Sequence, residues 1–152
     1  MVDMNNTAMR NRIIEKGGCM YRASVENRGD SRHYATTRHA GFVLDTEGKG
    51  SNAIDTLLAS LCGCLGHYVR DYLQVRQIAY RSYEIAAEAG VTPDKSRLGG
   101  ISVSIDLKEV QLDDRQAAEL LAFVGQCKVR TALADNPGVT VTLAGHQRGG
   151  CC

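Results

Sequence analysis

The sequence predicts an α+β fold of antiparallel sheets around one long, buried helix. Three observations carry this. Residues 53–73 repeat apolar side chains at helical spacing, the stretches on either side alternate with a period of two, and no βαβ unit repeats. With 152 residues, 43% of them hydrophobic, the chain can bury the core of a single globular domain. Net charge is +1, from 18 basic and 17 acidic residues, so no global field draws the protein to nucleic acid or to an anionic membrane.

The elements follow in order. Residues 1–18 read as an N-terminal arm, of which Met1–Arg12 is polar and lacks an apolar signal-peptide core; together with the absence of a membrane-spanning pattern this predicts a cytoplasmic protein. Cys19–Asn27 alternates imperfectly and stops at Asn27-Arg-Gly-Asp30, a turn signal. His33–Thr37 and Gly41–Asp45 complete a three-strand meander. After the loop Thr46–Gly50, Ser51 or Asn52 is a suitable N-cap, with Asp55 in the first turn at the positive end of the helix dipole. The helix then carries Ile54, Leu57, Leu58, Leu61, Leu65, Tyr68, Val69, Tyr72 and Leu73. Asp55, His67, Arg70 and Asp71 exclude it as a membrane span. Gly63 and Gly66 each cost a helix about 1 kcal/mol against alanine, which predicts close approach of another backbone. The helix is apolar over more than one face, so a homodimer with this helix near its two-fold axis is expected.

Ile78–Gly90 and Gly100–Val110 alternate again, and Thr92–Gly100 joins them as a hairpin. Leu112–Gln126 is a second amphipathic helix. Cys127 follows, then a short helix to about Leu133, a turn at Asn136-Pro-Gly138 and a final strand over Val139–Leu143. No glycine-rich phosphate loop accompanies any of these elements.

Six cysteines stand at positions 19, 62, 64, 127, 151 and 152. A disulfide framework is not needed at this length, and nothing marks the chain for an oxidising compartment. Cys62 and Cys64 lie about 200° apart around a helix, which argues against a shared zinc site. Two settings stand out. Cys64 sits on the apolar helix and Cys127 at a helix start, where the dipole favours a thiolate. Such thiols suit peroxide chemistry, in which one sulfur attacks and another resolves the sulfenic acid. Either could fill either role, and both could equally be packing residues, since free cysteine is among the most buried residue types. Cys62 and Cys19 read as structural, and Cys151 and Cys152 as an exposed thiol pair on a flexible tail, 146–152.

Two motifs together resemble the OsmC/organic hydroperoxide resistance family over residues 19–145. The family's helix pattern Pro-x-Glu-x-Leu-Leu-x-Ala-x-x-x-Cys is similar to Ala53-Ile-Asp55-Thr-Leu57-Leu58-Ala-Ser60-Leu-Cys-Gly-Cys64. Its Cys-Pro-Val-x-x-x-Leu is similar to Cys127-Lys-Val-Arg-Thr-Ala-Leu133, with Lys128 for proline. The resemblance implies an OsmC-like domain in an intertwined homodimer, with cysteine-based reduction of hydroperoxides at the subunit interface and no cofactor or metal. It makes Cys64 peroxidatic and Cys127 resolving, linked as a disulfide in the oxidised state, with a dithiol or lipoyl protein as reductant. It also implies an arginine from the meander beside the reactive thiol, Arg28 first and Arg38 second; Arg130 and His67 are further cations near the cysteines in sequence. Where the organic-hydroperoxide branch has a glutamate ten residues before the reactive cysteine, this chain has Ile54. Asp55 beside it points about 100° away. That departure favours a divergent branch and leaves a second reading, a non-catalytic stress-response or small-ligand-binding protein on the same fold.

Overall fold

The structure, a computed structural model, describes residues 21–135 and 138–143. The described residues fall into two compact units parted between Thr56 and Leu57.

The first unit is the expected meander. Strands β1 (Ala23–Asn27), β2 (Arg32–Thr37) and β3 (Gly41–Asp45) form one antiparallel sheet in the order β1-β2-β3. The register sets Val25 opposite Ala35 and Ala35 opposite Phe42, so one face gathers small and apolar side chains around buried Ala35. The turn between β1 and β2 is closed by Asn27, whose side chain donates to the carbonyls of Asp30 and Arg32 and accepts from the Gly29 N–H. Gly29 has φ +90°, a conformation that a side chain would strain. The arm 1–18 and Cys19 lie outside the described residues.

Helix α1 (Ala53–Val75) begins where Asn52 caps it. The Asn52 side chain accepts from the N–H groups of Ile54 and Asp55 at 2.8 and 2.9 Å, and an Asp55 carboxylate oxygen accepts back from the Asn52 N–H at 3.4 Å. The helix ends in a left-handed residue that is not glycine: Gln77, at φ 55°. Gln77 N–H reaches the Gln74 carbonyl and Ile78 N–H reaches that of Leu73, a Schellman closure with Ile78 packed back on the core. This corrects the expectation of a strand from Ile78. Ile78 and Tyr80 are apolar because they cover the helix exit, and the strand begins only at Glu84.

Strands β4 (Glu84–Val91) and β5 (Leu98–Asp106) form a second, two-stranded antiparallel sheet with an irregularity between Ala89 and Val91. Helix α2 (Asp114–Val124) starts with a capping box. Asp113 accepts from the Gln116 N–H and the Gln116 side chain accepts from the Asp113 N–H. Helix α3 is Lys128–Asp135.

The core of this unit is built on one stripe of α1. Leu61, Leu65, Val69, Tyr72 and Leu73 meet Leu120, Val124 and Cys127, with Ile85, Ile101 and Ile105 from the sheet packed against them. Each fully buried aliphatic side chain contributes about 1.5–3 kcal/mol. Tyr72 ties α1 to α2, donating its hydroxyl to the Gln116 carbonyl at 3.0 Å.

The final strand does not form. Residues 138–143 have no regular structure, and Val139 and Val141 are 85% and 88% exposed. Alternation alone is a local pattern, and a strand also needs a paired edge. Of the turn expected before it, Asn136 and Pro137 lie outside the described residues, as does the tail 146–152.

Candidate functional site

Cys64, midway along α1, and Cys127, immediately before α3, are joined by a disulfide with their Cα atoms 6.1 Å apart. Two helical runs 63 residues apart in sequence thus meet at these two sulfurs. Cys64 faces the core stripe because it lies three residues after Leu61 and four before Tyr68, and it is half-buried. Cys127 has no exposed surface.

Local hydrogen bonding fixes Cys127 as the cap of α3. Its N–H donates to the Val124 carbonyl as the chain leaves α2. Its carbonyl accepts from the Thr131 N–H at 2.9 Å and from the Thr131 hydroxyl at 3.0 Å. Its sulfur accepts from the Arg130 N–H at 3.4 Å. A sulfur in the cap position thus faces the positive end of α3, where charge on it is favoured. The Arg130 guanidinium turns back to the Gly125 carbonyl at 3.3 Å and pins the link between α2 and α3. Sequence reasoning counted Arg130 only as a nearby cation. The role of its amide was readable from the three-residue spacing, by which a cap side chain meets the third N–H of a helix.

Beside these elements is a cavity of about 450 Å³, walled by Leu61, Leu65, Ile101, Ile105, Val124 and Leu133 among others. Among the described residues Arg130 is its one charged lining residue. The arrangement joins two sulfurs whose neighbours Leu65 and Arg130 line an apolar chamber. Among the described residues no three histidine, cysteine, aspartate or glutamate side chains converge as a metal site would require.

The other candidates have partners of their own. Cys62, a free thiol, faces a separate cleft with Gly66, His67, Arg70 and Tyr83, as its angle from Cys64 on the helix requires. His67 contacts its own helix: Nε2 lies 3.3 Å from Asp71, and Nδ1 accepts from Arg70 at 2.9 Å. Arg28 pairs with Glu26 at 3.0 Å and lies over the Tyr34 ring, all within the meander. Its guanidinium holds the Glu26 carboxyl below the usual range, first by hydrogen bonding and then by charge. Arg38 stacks over Tyr21. Asp55 serves the α1 cap, and Ile54 beside it is exposed. Cys151 and Cys152 lie outside the described residues.

Among solved structures, three similar ones are an OsmC-like protein from Mycoplasma pneumoniae and two organic hydroperoxide resistance proteins. The Mycoplasma protein is 16% identical, with 76% of this chain and 88% of that one covered and a TM-score of 0.64. The organic hydroperoxide resistance protein of Legionella pneumophila is 21% identical, covering 78% and 91%, with a TM-score of 0.56. OhrB of Bacillus subtilis, the third, is 18% identical, covering 78% and 93%, with a TM-score of 0.57. No curated protein matches the chain significantly. The family model described as OsmC-like protein matches residues 46–143, which include both Cys64 and Cys127. With that match over most of its length and this fold, the chain belongs to the OsmC-like protein family.

Proposed function

We propose that the protein is a thiol-dependent peroxidase that reduces organic hydroperoxides through Cys64 and Cys127 in defence against oxidative stress. One observation carries the reading: two sulfurs from distant segments are bonded to each other, and Leu65 beside Cys64 and Arg130, whose N–H reaches the Cys127 sulfur, both line an apolar chamber. The names of the Legionella and Bacillus structures lend it further support.

In the cycle, the Cys64 thiolate attacks the outer oxygen of the hydroperoxide. The O–O bond breaks, the alcohol leaves with a proton, and Cys64 becomes a sulfenic acid. Cys127 then attacks that sulfur, water departs, and the disulfide forms. An external dithiol, a protein-borne lipoyl group among them, returns both cysteines to thiols. Arg28 is proposed as the cation that keeps Cys64 ionised, Asp55 as an auxiliary carboxylate, and a cytoplasmic homodimer as the working form. Exposed Val103, Leu121 and Leu133 beside the chamber favour a covering partner.

Thiol titration before and after one equivalent of cumene hydroperoxide tests the reading. Two thiols should disappear per chain, with Cys64 and Cys127 recovered in one disulfide-linked peptide pair. Cys64→Ser should abolish turnover. Cys127→Ser should permit one stoichiometric reaction and then over-oxidation of Cys64 to sulfinic acid. Oxidation confined to Cys151 and Cys152 would sink the proposal and leave the non-catalytic ligand-binding reading, which the apolar chamber would also serve. A monomeric mass by light scattering at micromolar concentration would remove the dimer.

A further inference from the structure

The disulfide presents its two sulfurs unequally. Cys127 is fully enclosed and Cys64 is half-buried, flanked on α1 by exposed Gly63. Among the described residues an N–H is aimed at the sulfur of Cys127, that of Arg130, and none at that of Cys64. Cys64 lies inside α1, far from either helix end, where backbone N–H groups are spent on the helix itself.

We propose that reduction of this disulfide is regiospecific: an external dithiol attacks Cys64, and Cys127 departs as the thiolate. Exchange requires a thiolate to reach one sulfur from the side opposite the other. Its rate depends on which sulfur is accessible and on how well the leaving sulfur bears charge. Both conditions select the same direction here. Enclosure of Cys127 denies approach to it, and the Arg130 N–H together with the N-terminus of α3 receives the charge as it leaves.

The step balances as follows. The reductant's thiolate bonds to Cys64 Sγ while the Cys64–Cys127 bond breaks, and the bonding pair passes to Cys127 Sγ. The reductant's second thiol, losing its proton, then attacks the reductant sulfur held on Cys64. This closes the reductant's own disulfide and frees Cys64. The dithiol is oxidised by two electrons, the protein is reduced by two, and the dithiol's two protons pass to the two cysteines or to solvent. This inference rests on the peroxidase reading only in treating the dithiol as the physiological reductant. Within that reading, Cys64 is the entry point for both peroxide and reductant.

The test uses the oxidised full-length protein and 2-mercaptoethanol, a monothiol that stalls at the mixed disulfide. Samples are quenched in acid within seconds, unfolded, blocked with N-ethylmaleimide and mapped by mass spectrometry. At least ten adducts on Cys64 are expected for each on Cys127. Equal adducts, or more on Cys127, overturn the proposal. Where the adduct collapses before quenching, the single variants decide. Cys64 in Cys127→Ser should react with an aromatic disulfide at least tenfold faster than Cys127 in Cys64→Ser, and the reverse order overturns the proposal. Peroxide consumption by the same preparation scores the peroxidase reading separately. Cys64 adducts without turnover would keep the regiochemistry and discard the peroxidase.

Discussion

Tyr83 donates its hydroxyl proton to the carbonyl of Gly66 at 2.9 Å, laying its ring against one of the two glycines of α1. Burial raises the Tyr83 phenol above its ordinary pKa, so the hydroxyl stays a donor. A Cβ at position 66 would meet Ile85 at 3.6 Å and Tyr83 at 3.8 Å, ordinary contact distances. Gly66→Ala should therefore fit and should stabilise the protein by about 0.5–1 kcal/mol through helix propensity. Urea unfolding monitored by circular dichroism checks it; a loss of stability would mean that the contact is tighter than these distances imply. Gly63 has nothing within 4 Å of such a Cβ among the described residues, so their packing does not account for that glycine.

Tyr72→Phe should cost about 1 kcal/mol, the ordinary net worth of one hydrogen bond. The ring stays packed at 4% exposure and only the bond to the Gln116 carbonyl and a longer one to Glu119 are lost. Glu119 keeps Arg76 at 2.8 Å and Arg115 at 3.1 Å, so no carboxylate is stranded. A loss of 3 kcal/mol or more in urea unfolding would mean that the hydroxyl holds α1 and α2 together beyond that one bond.

In the hairpin between β4 and β5, Asp94 is pushed down to about 2 from its ordinary 3.8 by hydrogen bonds from Thr92 and then Ser96. A depressed carboxylate contributes stability that is present above its unfolded value and is lost as pH falls through the folded one. The loop should stay ordered at pH 4 and loosen towards pH 2. Carbon-13 titration of the Asp94 carboxyl should give a midpoint near the lower value; a midpoint near 3.8 contradicts the hydrogen bonding described.

Arg28→Met tests the proposed role of the meander arginine. The exposed pair with Glu26 contributes little to folding, so the unfolding midpoint should hold. If Arg28 supports the Cys64 thiolate, alkylation by iodoacetamide at neutral pH should slow about tenfold or more, since loss of a partner charge moves a pKa by about 1–3. Equal rates in Arg28→Met and the native protein exclude this arginine, and Arg38→Met is the next comparison.

Much of this architecture was legible because its signals are local. Asn52 and Asp113 announce helix starts by side-chain chemistry alone, and Gly41–Asp45 has the bounds the sequence predicts. The separation of Cys62 from Cys64 follows from helical geometry and holds in the structure. The misses came where pattern and partner part company. Ile78 and Tyr80 alternate like a strand but serve a helix end, and Val139–Leu143 alternates without a strand partner among the described residues. The attachment of Arg28 to Glu26 was hidden for another reason. Arg28 follows β1 in the turn after Asn27, so its side-chain direction depends on the turn and not on strand alternation.

The Cys64–Cys127 bond has a consequence for the lifetime of the protein. A cross-link between residues 63 apart restricts the unfolded chain enough to stabilise the fold by about 4 kcal/mol in the chain-entropy model. The bond proposed to open and close with each peroxide is therefore also a seam in the fold. If the proposed cycle operates, molecules without peroxide to consume, kept open by plentiful reductant, would unfold more often and be exposed to proteolysis, whereas molecules at work would be sewn shut for part of every cycle. Abundance would then follow workload with no dedicated sensor, because scarcity of substrate shortens the life of the catalyst.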